Sequence, residues 1–175
     1  VEDVTTVLAR NKEDACSRDV FTSTAFAASN RVVLSSNAWD LDTTTSAIID
    51  DIDTGKGVIL RGIGRLPVGL CVGFNTWQDG IKDHPDILDR IKWSERGVIS
   101  EDSAGMVLGL DSITIGRGIL ITTNYGISQT TGFIFQSAAL LYYNESSPKL
   151  RSSNLGVTFQ KSEPSIQNIR DDHRK

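Results

Sequence analysis

His84-Pro85-Asp86-Ile87-Leu88-Asp89-Arg90-Ile91-Lys92-Trp93 has the outline of a complete short helix. Pro85 suits the first turn, where a missing N–H leaves no bond unmade. Asp86 and Asp89 come early and Arg90 and Lys92 late, which complements the helix dipole. Gly97 ends the segment. Ile87, Leu88 and Ile91 give it an apolar side. Upstream, Val68-Gly69-Leu70-Cys71-Val72-Gly73-Phe74 predicts a buried strand, and Asn75 or Thr76 caps a short helix running through Asp83. Downstream, Ser100 followed by Glu101 and Asp102 predicts a helix to Leu108, stopped at Gly109.

The remainder mixes the two periodicities. Residues 1–21 predict a helix with a thin apolar stripe of Val4, Val7, Leu8, Ala15 and Cys16, as in a helix that lies on something rather than inside it. Arg31-Val32-Val33-Leu34 could form a short strand, followed by a turn at Ser35-Ser36-Asn37. Thr43 to Ser46 offer N-caps for a second helix, with Ile48, Ile52 and Ile59 on one face and Ile49 beside them. Gly55 and Gly57 weaken it, and Gly62, Gly64 and Pro67 end it. Ile113 to Ile115, Ile119 to Ile121, Phe133 to Phe135, Ala138 to Tyr143 and Val157 to Phe159 are strand candidates. The tail, Ile169 to Lys175, is highly charged. The order of elements predicts an α+β fold.

A chain of 175 residues fits one domain, or one domain with an extension. Its 22 acids outnumber 18 bases, for a net charge of −4, which argues against strong nonspecific binding of DNA. Cys16 and Cys71 lie far apart in sequence; one disulfide is open, but two free thiols in a reducing compartment are favoured. No apolar run is long enough to span a membrane, and no signal peptide is expected. Val1 in first position is consistent with a processed product, a fragment, or part of a longer protein.

Sites for chemistry are sparse. Histidine occurs only at 84 and 173. Ser35, Ser36 and Asp86 are the partners a His84 nucleophile system would have to use, but no GxSxG elbow exists. His84, directly before a proline, is a capping or turn residue. Asp40 with Asp42, and Asp50, Asp51 and Asp53, are acidic clusters that lack the alternating ligands, central glycine and closing glutamate of an EF-hand loop. They suit a solvated face. Gly62-Ile63-Gly64 and Gly116-Arg117-Gly118 are turn glycines without a completed dinucleotide fingerprint or P-loop lysine. Trp39, Trp77 and Trp93 suit core or interface anchors. No catalytic, cofactor-binding or metal site is expected.

Taken in order, these segments resemble the tailed-bacteriophage major capsid proteins. Residues 1–21 with Ala27-Ala28-Ser29-Asn30-Arg31-Val32-Val33-Leu34-Ser35 look like that family's long helix and the stretch after it. Trp39-Asp40 through Asp50-Asp51-Ile52 looks like its tryptophan-led helix start, and Leu66 to Gly73 stands at its Arg-Pro-Asn and following strand. Asn75 to Trp93 looks like its segment ending His-Pro-Asp-Ile-Leu-Asp-Arg-Ile-Lys-Tyr. Gly97 through Gly116, and Gly156-Val157-Thr158-Phe159 with the charged tail, look like its later segments. Ile81, Leu110 and Trp93 are apolar or aromatic swaps against the common pattern, and Ser103-Ala104-Gly105 is a weaker helix former than the family's Leu-Leu-Ala. The family's N-terminal arm, extended hairpin loop and final strand have no counterpart here.

The resemblance implies the Johnson fold of those shells. Residues 1–62 would hold the spine helix and peripheral-domain elements, 63–143 the axial domain, and 144–175 the return to the peripheral domain. It implies copies of the chain in hexamers and pentamers of an icosahedral shell around double-stranded DNA, without sequence-specific contact. Scaffold, portal and decoration proteins would be partners, and no membrane would be involved. The location would be the virion, assembled in the host cytoplasm. The alternatives are an encapsulin-type nanocompartment shell and a small α+β enzyme or binding module.

Overall fold

A computed structural model of the chain describes residues 4–22, 25–34, 38–39, 47–91, 99–121, 128, 130–135, 137–147, 149 and 154–155. Four helices and five strands lie among them: α1 (Val4–Val20), α2 (Ile48–Ile63), β1 (Gly69–Gly73), α3 (Pro85–Ile91), α4 (Glu101–Leu108), β2 (Ser112–Gly116), β3 (Ile119–Ile121), β4 (Thr131–Phe133) and β5 (Ala139–Tyr142). The mixed α+β class is as the sequence predicts.

β1 is the central strand of a three-stranded sheet ordered β2-β1-β5. It pairs in parallel with β2, Leu70 opposite Ile113, and antiparallel with β5, Leu70 opposite Leu141. Parallel neighbours need a crossover connection. Here it is supplied by a π-helical turn at Thr76–Ile81, then α3 and α4. That π-helical turn replaces the short α-helix expected there; Gly80 lies against the backbone carbonyl of Trp39, 2.9 Å from where a Cβ would stand. β3 and β4 form a separate antiparallel hairpin. β4 ends at Phe133 rather than beginning there, although Ile134 still donates its N–H to the carbonyl of Gly118, in register with the β3–β4 pairing.

Side chains alternate across a strand, so Leu70 and Val72 share one face with Ile113, Ile115 and Leu141. The core lies against that face. It joins Ile48 and Ile52 of α2, Trp77 and Ile81 of the π-helical turn, Ile87 and Ile91 of α3, and Ala104 and Leu108 of α4. The opposite face carries Cys71, Gly69 and Gly116. Tyr142 covers Gly69 and the Phe135 ring lies directly on Gly116, so neither glycine has room for a Cβ. α1 approaches this second side: the Ser17 hydroxyl donates to the Ile134 carbonyl at 3.0 Å, and Phe21 meets Phe135 edge-on at 5.0 Å.

Ser100 caps α4 as its position in the sequence predicts, accepting from the Ser103 N–H at 3.2 Å, and Gly109 ends the helix in the left-handed conformation. Gly64 does the same for α2. The N-cap position of α2 is Ala47, with no side-chain cap bond; the candidates Thr43 to Ser46 lie outside the described residues, as do Ser35-Ser36-Asn37, Gly97, Val157 to Phe159 and the charged tail. Arg31-Val32-Val33-Leu34 is extended at Arg31 but joins neither sheet among the described residues, so it is not the strand it could have been.

Candidate functional site

His84 fulfils its capping role more fully than the sequence indicates. Its Nδ1 accepts the Asp86 backbone N–H at 3.3 Å, and its carbonyl accepts from Ile87 and Leu88, so it caps α3 with side chain and backbone. It is also only 1% exposed. Asp86 meets it through its main-chain N–H. Ser35 and Ser36 lie outside the described residues. The described part of the imagined Ser-His-Asp trio is therefore a helix cap.

Of the acidic positions of α2, Asp50 and Asp53 are exposed, as on a solvated face, and Asp51 is half-buried. Asp51 accepts the indole N–H of Trp39 at 2.8 Å, which ties the half-buried Trp39 to the helix. Asp53 pairs with Lys56 at 2.9 Å, and the same ammonium donates to the Leu108 carbonyl, linking α2 to the end of α4. Asp40 and Asp42 lie outside the described residues. Among the described residues, no three His, Cys, Asp or Glu side chains come together as metal ligands would. No described helix is long and apolar enough to cross a membrane.

Cys16 and Cys71 are both free thiols. Burial pushes the Cys71 thiol up, and the nearby Cys16 and Glu13 on α1 push it further. An open cleft of about 350 Å³ separates α1 from the loop after β2, lined in part by Thr6, Arg10, Glu13 and Arg117. Arg117 is held by Glu101 at 2.5 Å. Arg10, Glu13 and Arg117 make it a charged crevice.

The surface also presents apolar side chains. Arg10, Glu13, Asp14, Ser17, Val20 and Phe21 are the half-buried residues of α1 and its exit, spaced three and four apart, so they form the stripe that faces the body. Leu8 and Ala15 sit about half a turn away. Leu8 is 63% exposed, and Val7 and Cys16, which flank that stripe, are exposed too. The helix thus packs on its own body with a mostly polar side and leaves its apolar side outward. Val32 and Val33 are also exposed, as are Leu60, Ile63 and Leu66 at the end of α2, and Leu88 and Met106 on α3 and α4. Leu88 corrects the reading of His84 to Trp93: Ile87 and Ile91 are core, but Leu88 is 42% exposed. Trp77 is core, Trp39 packs beside it, and Trp93 lies outside the described residues. The exposure of residues 60–66 had one signal in the sequence: Leu60 departs from the stripe of Ile48, Ile52 and Ile59.

Comparison with known proteins follows this picture. No family model matches the chain. Over 68 residues it is 29% identical to the major capsid protein of Burkholderia phage BcepMu, a match covering 39% of this chain and 22% of that protein. The crystal structure of a phage-related protein from Bordetella bronchiseptica RB50 superposes with a TM-score of 0.72 at 21% identity, over 83% of this chain and 45% of the other. The fold is therefore that of a phage-related protein, and the chain spans less than half the length of either relative.

Proposed function

We propose that this chain belongs to a tailed-phage major capsid protein, one that self-assembles into an icosahedral shell enclosing double-stranded DNA. The observation that carries the proposal is the inverted orientation of α1. A helix that turns its polar stripe to its own subunit and keeps Leu8, Ala15 and Val7 outward is stable chiefly where another surface covers them. The similarity to a phage capsid protein in sequence, and to a phage-related protein in fold, supports that surface being another subunit.

In this reading residues 1–62 form a spine and peripheral elements, 63–143 an axial domain, and 144–175 the return to the periphery. Copies meet in hexamers and pentamers, and each contact is modest and multiplied by symmetry. Scaffold, portal and decoration proteins are partners in the virion. The net charge of −4 suits a wall that encloses DNA without gripping it. Electron microscopy of the purified full-length product tests the proposal: closed shells of phage size support it, and a protein that stays monomeric at every concentration and salt overturns it.

A further inference from the structure

The last turn of α2 and its exit, Leu60-Arg61-Gly62-Ile63-Gly64-Arg65-Leu66, are exposed at every residue. Leu60, Ile63 and Leu66 keep 45%, 41% and 59% of their surfaces in solvent. The run is nonetheless held firmly. Gly64, at φ 70°, closes the helix by donating its N–H to the Leu60 carbonyl at 2.8 Å. Pro67 is buried and Val68 donates to the Tyr142 carbonyl at 3.0 Å, opening the β1–β5 ladder. The result is a fixed knob with three apolar side chains. Its charges are Arg61 and Arg65, and no acid occurs from Thr54 to Pro67. Arg65 is partly engaged, with Tyr143 at 2.7 Å and Glu145 at 3.9 Å.

The outward side of α4 has the opposite character. Ala104, Gly105 and Leu108 are buried, so Asp102 and Met106, one turn apart, form the free face. Met106 is 78% exposed. On α3, the helix packed against α4, Asp86 and Leu88 are exposed too, but two positions apart on a helix they lie on nearly opposite sides of its axis and do not share this face. With Asp102 and Met106 the α4 face is acidic and apolar where the knob is basic and apolar. α2 packs against β5 and α4 against β2, while the knob itself leads into the central strand β1, just before which the Val68 carbonyl accepts from Asp111 and Ser112.

We infer that the Leu60–Leu66 knob of one copy docks on the outward face of α4 in the next, Arg61 against Asp102, and the knob's apolar side chains against Met106. Unlike patches join copies head to tail, and such a contact closes into a ring when its rotation divides a full turn. The arginine fork suits carboxylate pairing, and methionine adapts its shape to an apolar partner. The inference rests on the assembly reading, and deepens it by naming which surfaces meet.

Charge exchange in the full-length protein tests it. Arg61→Glu should reduce shell yield about tenfold or more, with circular dichroism and melting unchanged. Adding Asp102→Arg to the same chain should restore most of the yield. Mixing an Ile63→Cys copy with a Met106→Cys copy, both carrying Cys16→Ser, should give a disulfide-linked dimer on mild oxidation, and neither copy alone should. Wild-type shells that form equally well with Arg61→Glu, or loss without rescue and without the mixed cross-link, overturn this contact while leaving the shell reading intact. Wild-type protein that never assembles overturns both.

Discussion

At the scale of single residues, burial sorts neighbours that look equivalent in sequence. Ile87 is fully buried and Leu88 is not. Ile87→Ala should cost about 2–5 kcal/mol in chemical denaturation, and Leu88→Ala about 1 kcal/mol or less. Equal losses would place Leu88 in the core. Gly116→Ala would drive a Cβ into the Phe135 ring. A loss of about 1–3 kcal/mol is expected, and Phe135→Leu in the same chain should relieve part of it. The two thiols should also separate. Cys16 is exposed, and the Cys71 thiol is pushed up first by burial, then by Cys16 and Glu13. A raised thiol pKa means less thiolate near neutral pH, so alkylation of Cys71 should lag that of Cys16. The sign for stability follows: the contribution from neutral Cys71 is complete below the unfolded thiol pKa and is lost as pH rises through the raised one. Peptide mapping after timed alkylation at pH 7 and pH 9 would show the lag narrowing as pH rises. His84 was legible as a cap because a polar residue before Pro85 needs only local geometry. Its burial was not, because the core that covers it comes from distant segments.

At the scale of elements, caps and strand runs were legible and faces were not. Ser100 with Glu101 and Asp102 marks the start of α4, and Gly109 its end, because these groups satisfy backbone N–H and C=O groups left over at helix termini. Ser100→Ala should destabilise by about 0.5–2 kcal/mol, with the loss visible in hydrogen exchange across α4. β1 was legible as a buried strand from its composition, and its central place agrees with the two-sided burial of Gly69–Gly73. Arg31 to Leu34 has the β-branched content of a strand, but a strand needs a partner, and no described segment provides one. For the same reason Ile63 continues the stripe of Ile48, Ile52 and Ile59 and yet stays exposed: α2 runs past the end of the core it packs on. Periodicity records which side chains share a face, and not how far that face is covered.

At the scale of the whole molecule, the surface separates folding from assembly. Leu8 contributes little to its own subunit, so Leu8→Asp should leave melting within about 0.5 kcal/mol of wild type while abolishing closed shells in electron micrographs. A large drop in melting would show that α1 packs with its apolar side inward. The sequence by itself determined the α+β class, the position of nearly every described element, the caps of α3 and α4, and a resemblance to phage capsid proteins carried by ordered segments. Those features follow from interactions between residues a few positions apart, which the order of residues contains directly. Only the tertiary structure decided that α1 lies polar side down, that Leu88 and Met106 face outward, and that α2 ends in an exposed basic knob. Each of these depends on which distant segments occupy the space beside an element, and that is set by the packing of all of them together.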